Sequence, residues 1–94
     1  MELGLAGRTV LVTGASKGIG LGVAQWFARE RCHLRLVARS ADLLEREAAD
    51  LRKTCGVDVQ TLALDLSSAE ARTRVTASWP EVDVLVNKIG RAHV

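Results

Sequence analysis

Short apolar runs alternate along the chain with segments whose apolar residues recur at helical spacing. The uninterrupted apolar run at residues 10–12 is typical of a strand that is covered on both faces. Leu44, Ala48, Leu51 and Cys55 repeat with the spacing of one helix face. The pattern predicts strands at residues 8–13, 33–39, 57–64 and 82–86, and helices at residues 18–30, 41–55 and 67–78.

The first predicted helix contains two glycines. Ile19, Val23 and Phe27 recur at helical spacing and are predicted to form its buried face. Gly20 and Gly22 are poor helix formers, so each requires a packing or ligand-binding reason. We expect Gly20 to bring the helix close to the sheet or to a ligand, and Gly22 to lie beneath a neighbouring element.

Polar residues, glycine and proline mark the ends of the other two helices. Gly56 is predicted to follow the second helix as its left-handed cap residue. Ser67 and Glu70 fit a capping box in which Ser67 is the N-cap of the third helix. Pro80 is expected to stop that helix.

The alternation of strands and helices predicts an α/β fold. A helix between consecutive strands makes the strands parallel, and right-handed crossovers give a doubly wound sheet of order 3-2-1-4. This is a partial Rossmann-type fold, β-α-β-α-β-α-β, over residues 1–87. The third strand is expected at an edge, because its apolar residues partly alternate. Ligands bind such sheets at the carboxyl ends of the strands where the order reverses, here between the first and fourth strands.

A glycine-rich turn lies at that point. Residues 13–20 read Thr-Gly-Ala-Ser-Lys-Gly-Ile-Gly and connect the first strand to the first helix. Glycines let backbone N–H groups approach a phosphate, and a helix N-terminus adds partial positive charge. The spacing fits neither G-x-G-x-x-G, because position 23 is Val, nor the P-loop. The turn is nevertheless predicted to hold a pyrophosphate.

This turn resembles that of the short-chain dehydrogenase/reductase family, which reads T-G-x-x-x-G-x-G. The resemblance covers nearly all of residues 7–87 and implies the N-terminal fragment of a classical-type enzyme. Such an enzyme interconverts an alcohol and a carbonyl with a nicotinamide cofactor, and Thr13 would brace its turn. The expected cofactor-binding residues are Gly14, Ser16, Lys17, Gly18, Ile19, Gly20, Arg39, Ser40, Asp65, Leu66 and Asn87.

Arg39 bears on the choice between NADP and NAD. It ends the second strand about 20 residues after the turn, where an acidic residue would bind the ribose hydroxyls of NAD. No Asp or Glu lies between Glu30 and Asp42, and a guanidinium there suits the 2′-phosphate of NADP. In the resembling family, a basic residue at the place of Lys17 together with such an Arg accompanies NADP preference. We therefore expect NADP, with two solvated surface charges as the alternative.

The ends of the third and fourth strands supply further expected contacts. In the resembling family, an Asp at the place of Asp65, followed by an apolar residue such as Leu66, reaches the adenine amino group. The alternative for Asp65 is a carboxylate that stabilises the helix entry near Ser67. Asn87 corresponds to the first Asn of the family's N-N-A-G, beside the nicotinamide-side ribose.

The sequence departs from the family after Asn87. Lys88 and Ile89 replace the second Asn and the Ala of N-N-A-G. Residues 89–94 can be encoded by part of a widely used sequencing-adapter oligonucleotide, so we expect residues 88–94 to be a non-native tail. The family's catalysis uses a Tyr, a Lys four residues later and a Ser, whereas this sequence has no Tyr. We expect the fragment itself to be inactive.

Composition narrows the partners. Apolar residues make up 48% of the chain without a run of membrane-spanning length, so we expect no membrane partner. An aromatic content of 3% and the lack of a basic run argue against nucleic acid. Cys32 and Cys55 have no companion ligands and are predicted to be unpaired thiols, without a metal site. We expect a cytoplasmic location, a small-molecule alcohol or carbonyl substrate, and a homo-oligomeric parent enzyme.

Two other classes of protein stay open. A free-standing, non-catalytic nucleotide-binding or regulatory module would leave the fourth strand as an exposed apolar edge. A methyltransferase-like Rossmann domain would carry acidic residues near the turn and after the second strand, where Lys17 and Arg39 stand.

Overall fold

Strands and helices alternate throughout the part of the chain that the structure describes. It is a computed structural model, and it describes residues 4–16 and 18–86. The elements are β1 (Thr9–Thr13), α1 (Gly18–Arg29), β2 (His33–Ala38), α2 (Ala41–Cys55), β3 (Val59–Ala63), α3 (Ala69–Ser78) and β4 (Val84–Val86). All the predicted elements are present; α2 has the predicted bounds, and the ends of the others differ from the prediction by at most two residues.

The strands form one parallel sheet of order β3-β2-β1-β4. In this sheet Leu11 of β1 lies between Arg35 of β2 and Leu85 of β4. The chain leaves β1 towards β2 and β3, and it returns on the other side of β1 to form β4. The order confirms the predicted partial Rossmann-type fold, with β3 at an edge, and it places the topological switch point beside β1.

Two hydrophobic clusters cover the two faces of the sheet. On one face, Ala24 of α1 and Leu44 of α2 pack against the first cluster of strand residues. On the other face, Val75 of α3 packs with Leu11 and Trp79. No helix among the described residues is long and apolar enough to cross a membrane.

The buried face of α1 differs from the predicted one. The structure buries Gly20, Ala24 and Ala28, whereas Ile19 is 69% exposed. Val23 and Phe27 are partly buried and pack beside the core. The helix lies so close to the sheet that only small side chains fit beneath it. Gly22, predicted to lie under a neighbouring element, is exposed, and a Cβ built there would meet no atom within 4 Å.

The ends of α2 confirm the prediction. Ser40 is the N-cap, and its Oγ accepts a hydrogen bond from the backbone N–H of Leu43 at 3.5 Å. Gly56 follows the helix with φ 68° and donates its N–H to the carbonyl of Arg52. Cys55 is partly buried beside the core, and Cys32 is fully buried within it. Burial, followed by the nearby charge of Glu30, raises the pKa of Cys32, so this thiol stays neutral.

The start of α3 corrects the prediction. Its N-cap is Ser68, whose Oγ accepts a hydrogen bond from the backbone N–H of Ala71 at 3.2 Å. Ser67 lies one residue outside the helix because its backbone N–H donates to Oδ1 of Asp65 at 3.0 Å. Glu70 is therefore the second helical residue, and the Ser67–Glu70 capping box does not form. Trp79 ends the helix directly before Pro80, as expected of a proline stop.

Arg35 is a charged residue in the middle of the sheet. It lies on β2, and its side chain is 7% exposed. Its Nη2 pairs with Asp58 and its Nε with Glu81, both at 3.1 Å, while Nη1 donates to the carbonyl of Leu34 at 2.9 Å. Asp58 precedes β3 and Glu81 precedes β4, so a single guanidinium ties together segments that lead into opposite edges of the sheet.

Arg35 is buried, whereas its two carboxylate partners are half-exposed. We therefore expect removal of the carboxylates to lower the free energy of unfolding more than removal of the arginine does. In the D58N/E81Q variant a buried cation loses both counter-charges, which we expect to cost about 3 kcal/mol in the free energy of unfolding. In R35M the carboxylates return to water and a similar volume stays filled, so we expect a loss of about 1 kcal/mol or less. Urea unfolding followed by circular dichroism measures both. A larger loss in R35M than in D58N/E81Q would contradict this account.

Candidate cofactor site

The predicted site residues follow the carboxyl ends of neighbouring strands. In the sheet register Thr13 pairs with Val37, and Ala38 pairs with Ala63. The strands are parallel, so the residues that follow β1, β2 and β3 emerge at one edge of the sheet. The structure thus brings three groups to the carboxyl end of the sheet: the glycine turn, Arg39 with Ser40, and Asp65 with Leu66. Lys17 and Asn87 lie outside the described residues.

The turn after β1 is tied to the next strand. The backbone N–H of Ala15 donates to the carbonyl of Val37 at 3.2 Å, and Ala15 is fully buried. Gly14 and Gly18 have φ angles of 65° and 63°, which side chains with a Cβ rarely adopt. Ala15 was not among the residues predicted for the site. Its small apolar side chain, between Gly14 and Ser16, is the feature of the sequence that indicates a buried position within the turn.

Gly20 determines how closely α1 approaches the turn. A Cβ built at Gly20 would lie 2.7 Å from the carbonyl carbon of Gly14 and closer still to its oxygen. The obstacle is backbone rather than a flexible side chain, so it cannot move aside without displacing the turn. This confirms that Gly20 permits a close approach, here of the helix to the turn itself.

The first turn of α1 begins directly at this loop. Gly18 is the first helical residue and is exposed, as is Ile19. The first N–H groups of a helix have no carbonyl partner one turn earlier, and they carry the positive end of the helix dipole. Together with the half-buried Ser16, this arrangement offers N–H donors and a hydroxyl to an anion at the carboxyl end of β1.

Arg39 and Ser40 form a second polar group at the same edge. Arg39 directly follows β2 and is exposed, and Ser40 caps the start of α2. The guanidinium therefore lies next to another helix N-terminus, where both charges favour an anion.

Asp65 and Leu66 face different surroundings. Hydrogen bonds from the backbone and side chain of Ser67, and then the attraction of Arg39, hold the pKa of Asp65 below its ordinary value. Asp65 therefore stabilises the approach to α3, which is the role expected of a carboxylate at the helix entry. The positive charge of Arg39 also attracts it. The side chain of Leu66 packs against the hydrophobic cluster on the α3 face.

A family comparison identifies the class of protein that this fold and turn define. The family model for short chain dehydrogenases matches residues 8–94 of the chain. The chain belongs to the short-chain dehydrogenase family.

Curated relatives agree with this assignment. A very-long-chain 3-oxoacyl-CoA reductase of Kluyveromyces lactis is 35% identical over 91 residues, which cover 93% of this chain and 26% of the relative. A dehydrogenase/reductase SDR family protein 7-like of Drosophila melanogaster is 41% identical over 96 residues, covering 92% of this chain and 28% of the relative. The chain thus spans between a quarter and a third of the length of these relatives.

Solved structures share the fold. L-sorbose reductase from Gluconobacter frateurii, complexed with NADPH and L-sorbose, superposes with a TM-score of 0.93 at 37% identity, over 99% of this chain and 37% of that chain. A short-chain dehydrogenase from Sphingobium yanoikuyae in complex with NADPH superposes with a TM-score of 0.78 at 40% identity, over 83% of this chain and 32% of that chain.

The surroundings of Gly20 and Gly22 predict opposite effects of the same substitution. G20A forces a Cβ into the backbone of the turn, so we expect it to lower the free energy of unfolding by about 1–3 kcal/mol. G22A adds a Cβ in open space within the same helix, so we expect a gain of about 0.5–1 kcal/mol. Urea unfolding of the two variants measures the difference. Equal stabilities would show that the close approach of α1 to the turn is not a constraint.

Proposed function

We propose that this chain is the cofactor-binding portion of an NADP-dependent short-chain dehydrogenase/reductase that interconverts an alcohol and a carbonyl. The observation that carries the proposal is that the glycine turn and Arg39 lie together at the carboxyl end of the sheet. A dinucleotide with an extra phosphate needs a site for its pyrophosphate and a cation for its 2′-phosphate, and this edge offers both. Complexes of the two solved relatives with NADPH support the choice.

In the proposed complex the pyrophosphate lies against the glycine turn. Gly14 and Gly18 keep side chains away from the phosphates, and the first N–H groups of α1 donate to them. Ser16 adds a hydroxyl, and Ile19 extends from the first helical turn towards the cofactor. Lys17 adds a second cation in this proposal.

The adenosine half lies across the ends of β2 and β3. The guanidinium of Arg39 binds the 2′-phosphate, which Ser40 and the N-terminus of α2 also favour. Asp65 accepts a hydrogen bond from the adenine amino group, and Leu66 contributes through its backbone because its side chain is packed inward. Asn87 contacts the ribose on the nicotinamide side.

The chemistry of the parent enzyme divides between cofactor and protein. The bound cofactor supplies or accepts hydride at its nicotinamide ring. The substrate oxygen also needs a proton donor or acceptor, which is the Tyr of the family's catalytic set. The sequence has no Tyr, so we propose that this chain binds the adenosine half of NADP weakly and does not transfer hydride. A cytoplasmic, homo-oligomeric parent remains a prediction.

The identity of residues 88–94 belongs to the same proposal. We propose that the gene continues Asn-Asn-Ala-Gly from Asn87 and that the observed tail is adapter-derived. Sequencing the gene independently tests this, since codons for residues 89–94 that differ from the adapter would contradict it. The same reading frame tests the alternative of a free-standing nucleotide-binding module. A continuation with Tyr-x-x-x-Lys favours the enzyme, and a stop after β4 favours the module.

The position of Arg39 predicts its effect on nucleotide choice. The probes are 2′-phospho-ADP-ribose and ADP-ribose, which differ only in the 2′-phosphate. We expect R39D to weaken binding of the first about tenfold to a hundredfold, since charge-assisted hydrogen bonds contribute about 1.5–3 kcal/mol. Binding of ADP-ribose should change little. Titrations followed by NMR measure both constants.

The matched control is R74D, which makes the same charge change at an exposed position of α3. It should leave the preference between the two probes unaltered. An equal preference in R39D and the unmodified chain would remove Arg39 from the 2′-phosphate site. Failure of the unmodified chain to bind either probe would contradict the cofactor-binding proposal as a whole.

A further inference from the structure

The outer edge of β3 lacks the usual devices that prevent strand pairing. β3 has the sequence Val-Gln-Thr-Leu-Ala, without a charged residue or a proline. Exposed edges usually carry such residues, because unpaired N–H and C=O groups accept a strand from another chain. β3 is an edge strand of the described sheet, so its outward backbone groups require some other protection.

The hydrogen bonds to β2 show which backbone groups of β3 point outward. Leu34 of β2 donates its N–H to the carbonyl of Asp58, and Leu64 donates its N–H to the carbonyl of Ala38. In a parallel ladder the bonded residues alternate with residues that face away. Val59, Thr61 and Ala63 therefore direct their backbone groups away from β2.

An arginine from α2 covers the first of these outward groups. Arg52 donates to the carbonyl of Val59 through Nε at 3.0 Å and through Nη2 at 2.6 Å. Two donors on one carbonyl occupy both of its acceptor positions. A strand from another chain would have to displace this guanidinium before it could pair there.

Glu45 holds the guanidinium in place. Its Oε1 pairs with Nη1 of Arg52 at 3.1 Å, and its Oε2 accepts a hydrogen bond from Oγ1 of Thr61 at 2.9 Å. Glu45 and Arg52 are two helical turns apart on α2, so both reach the same edge. The side chains are 42% exposed for Arg52 and 58% exposed for Glu45. Exposed ion pairs contribute little to stability, so the arrangement matters more for what it covers than for the fold.

We propose that Arg52, held by Glu45, closes the β3 edge against pairing with a second copy of this chain. Removal of the guanidinium exposes the Val59 carbonyl, so the outward backbone groups of Val59, Thr61 and Ala63 then form one continuous open edge. Two copies then pair β3 to β3 antiparallel, about a two-fold axis.

The test compares self-association of the full chain and its variants by sedimentation velocity. R52M keeps an apolar stem that reaches about as far as Nε of the arginine, but it removes every donor. We expect its apparent dimer dissociation constant to be at least about tenfold lower than that of the unmodified chain. R46M is the matched control, because Arg46 is exposed on the same helix and makes no hydrogen bond to β3 in the described residues. R46M should behave as the unmodified chain.

A double variant identifies the edge that pairs. Ala63 directs its N–H outward, so R52M/A63P removes a donor from the outer edge without breaking the ladder with β2. We expect this variant to return to the self-association of the unmodified chain. Unchanged association in R52M/A63P would place the contact elsewhere, for example at β4, and would overturn the proposal.

A milder variant covers the case in which R52M does not fold, as judged by circular dichroism. R52K retains the charge, but its compact ammonium cannot fork onto the carbonyl while also pairing with Glu45. We expect self-association between that of the unmodified chain and that of R52M. If both variants fold and neither self-associates more strongly than the unmodified chain, Arg52 does not close this edge. If only R52K folds, the same conclusion follows from unchanged self-association of R52K.

Discussion

The contact between Gly20 and the carbonyl of Gly14 is the constraint on which the rest of the candidate cofactor site depends. It fixes the distance of α1 from the sheet, so only Ala24 and Ala28 fit beneath the later turns of the helix. It also holds the helix N-terminus at the carboxyl end of β1. The N–H of Ala15 ties the same turn to β2, which leads directly to Arg39. One close approach thus sets both the helix position and the spacing between the two proposed phosphate sites.

The amino and carboxyl ends of the strands differ in what their side chains contact. At the amino end, acidic residues that precede β3 and β4 hold the strands in place: Asp58 and Glu81 pair with Arg35, and Asp83 exchanges two hydrogen bonds with Thr9. At the carboxyl end the turn, Arg39 and Ser40 stay accessible. The charged side-chain ties between strands are thus concentrated away from the carboxyl end, where a ligand would bind, and that end keeps glycines with positive φ and an exposed charge.

Local patterns in the sequence predicted the elements and the strand order, and with them the end of the sheet that carries the candidate site, because these follow from periodicity and the rules of parallel connections. Finer placement depended on contacts that no local pattern contains. The stripe of Ile19, Val23 and Phe27 has helical spacing, but the approach to Gly14 selects the neighbouring stripe of small residues. Ser67 fits a capping box, but its backbone N–H donates to the carboxylate of Asp65 outside the helix, and Ser68 caps α3 instead. The sites of Lys17 and Asn87 fall outside the described residues.

Three arginines show why residue type alone could not assign these roles. Arg35 lies buried on a central strand, so its charge requires two carboxylates. Arg52 lies on a helix beside an edge strand, so its donors meet an outward carbonyl that no other strand of the described sheet occupies. Arg39 follows the carboxyl end of a strand, where neither helix nor strand covers it and its charge faces outward. The same guanidinium therefore pairs with two carboxylates, covers a backbone carbonyl or stays accessible to a ligand, according to its position relative to the sheet.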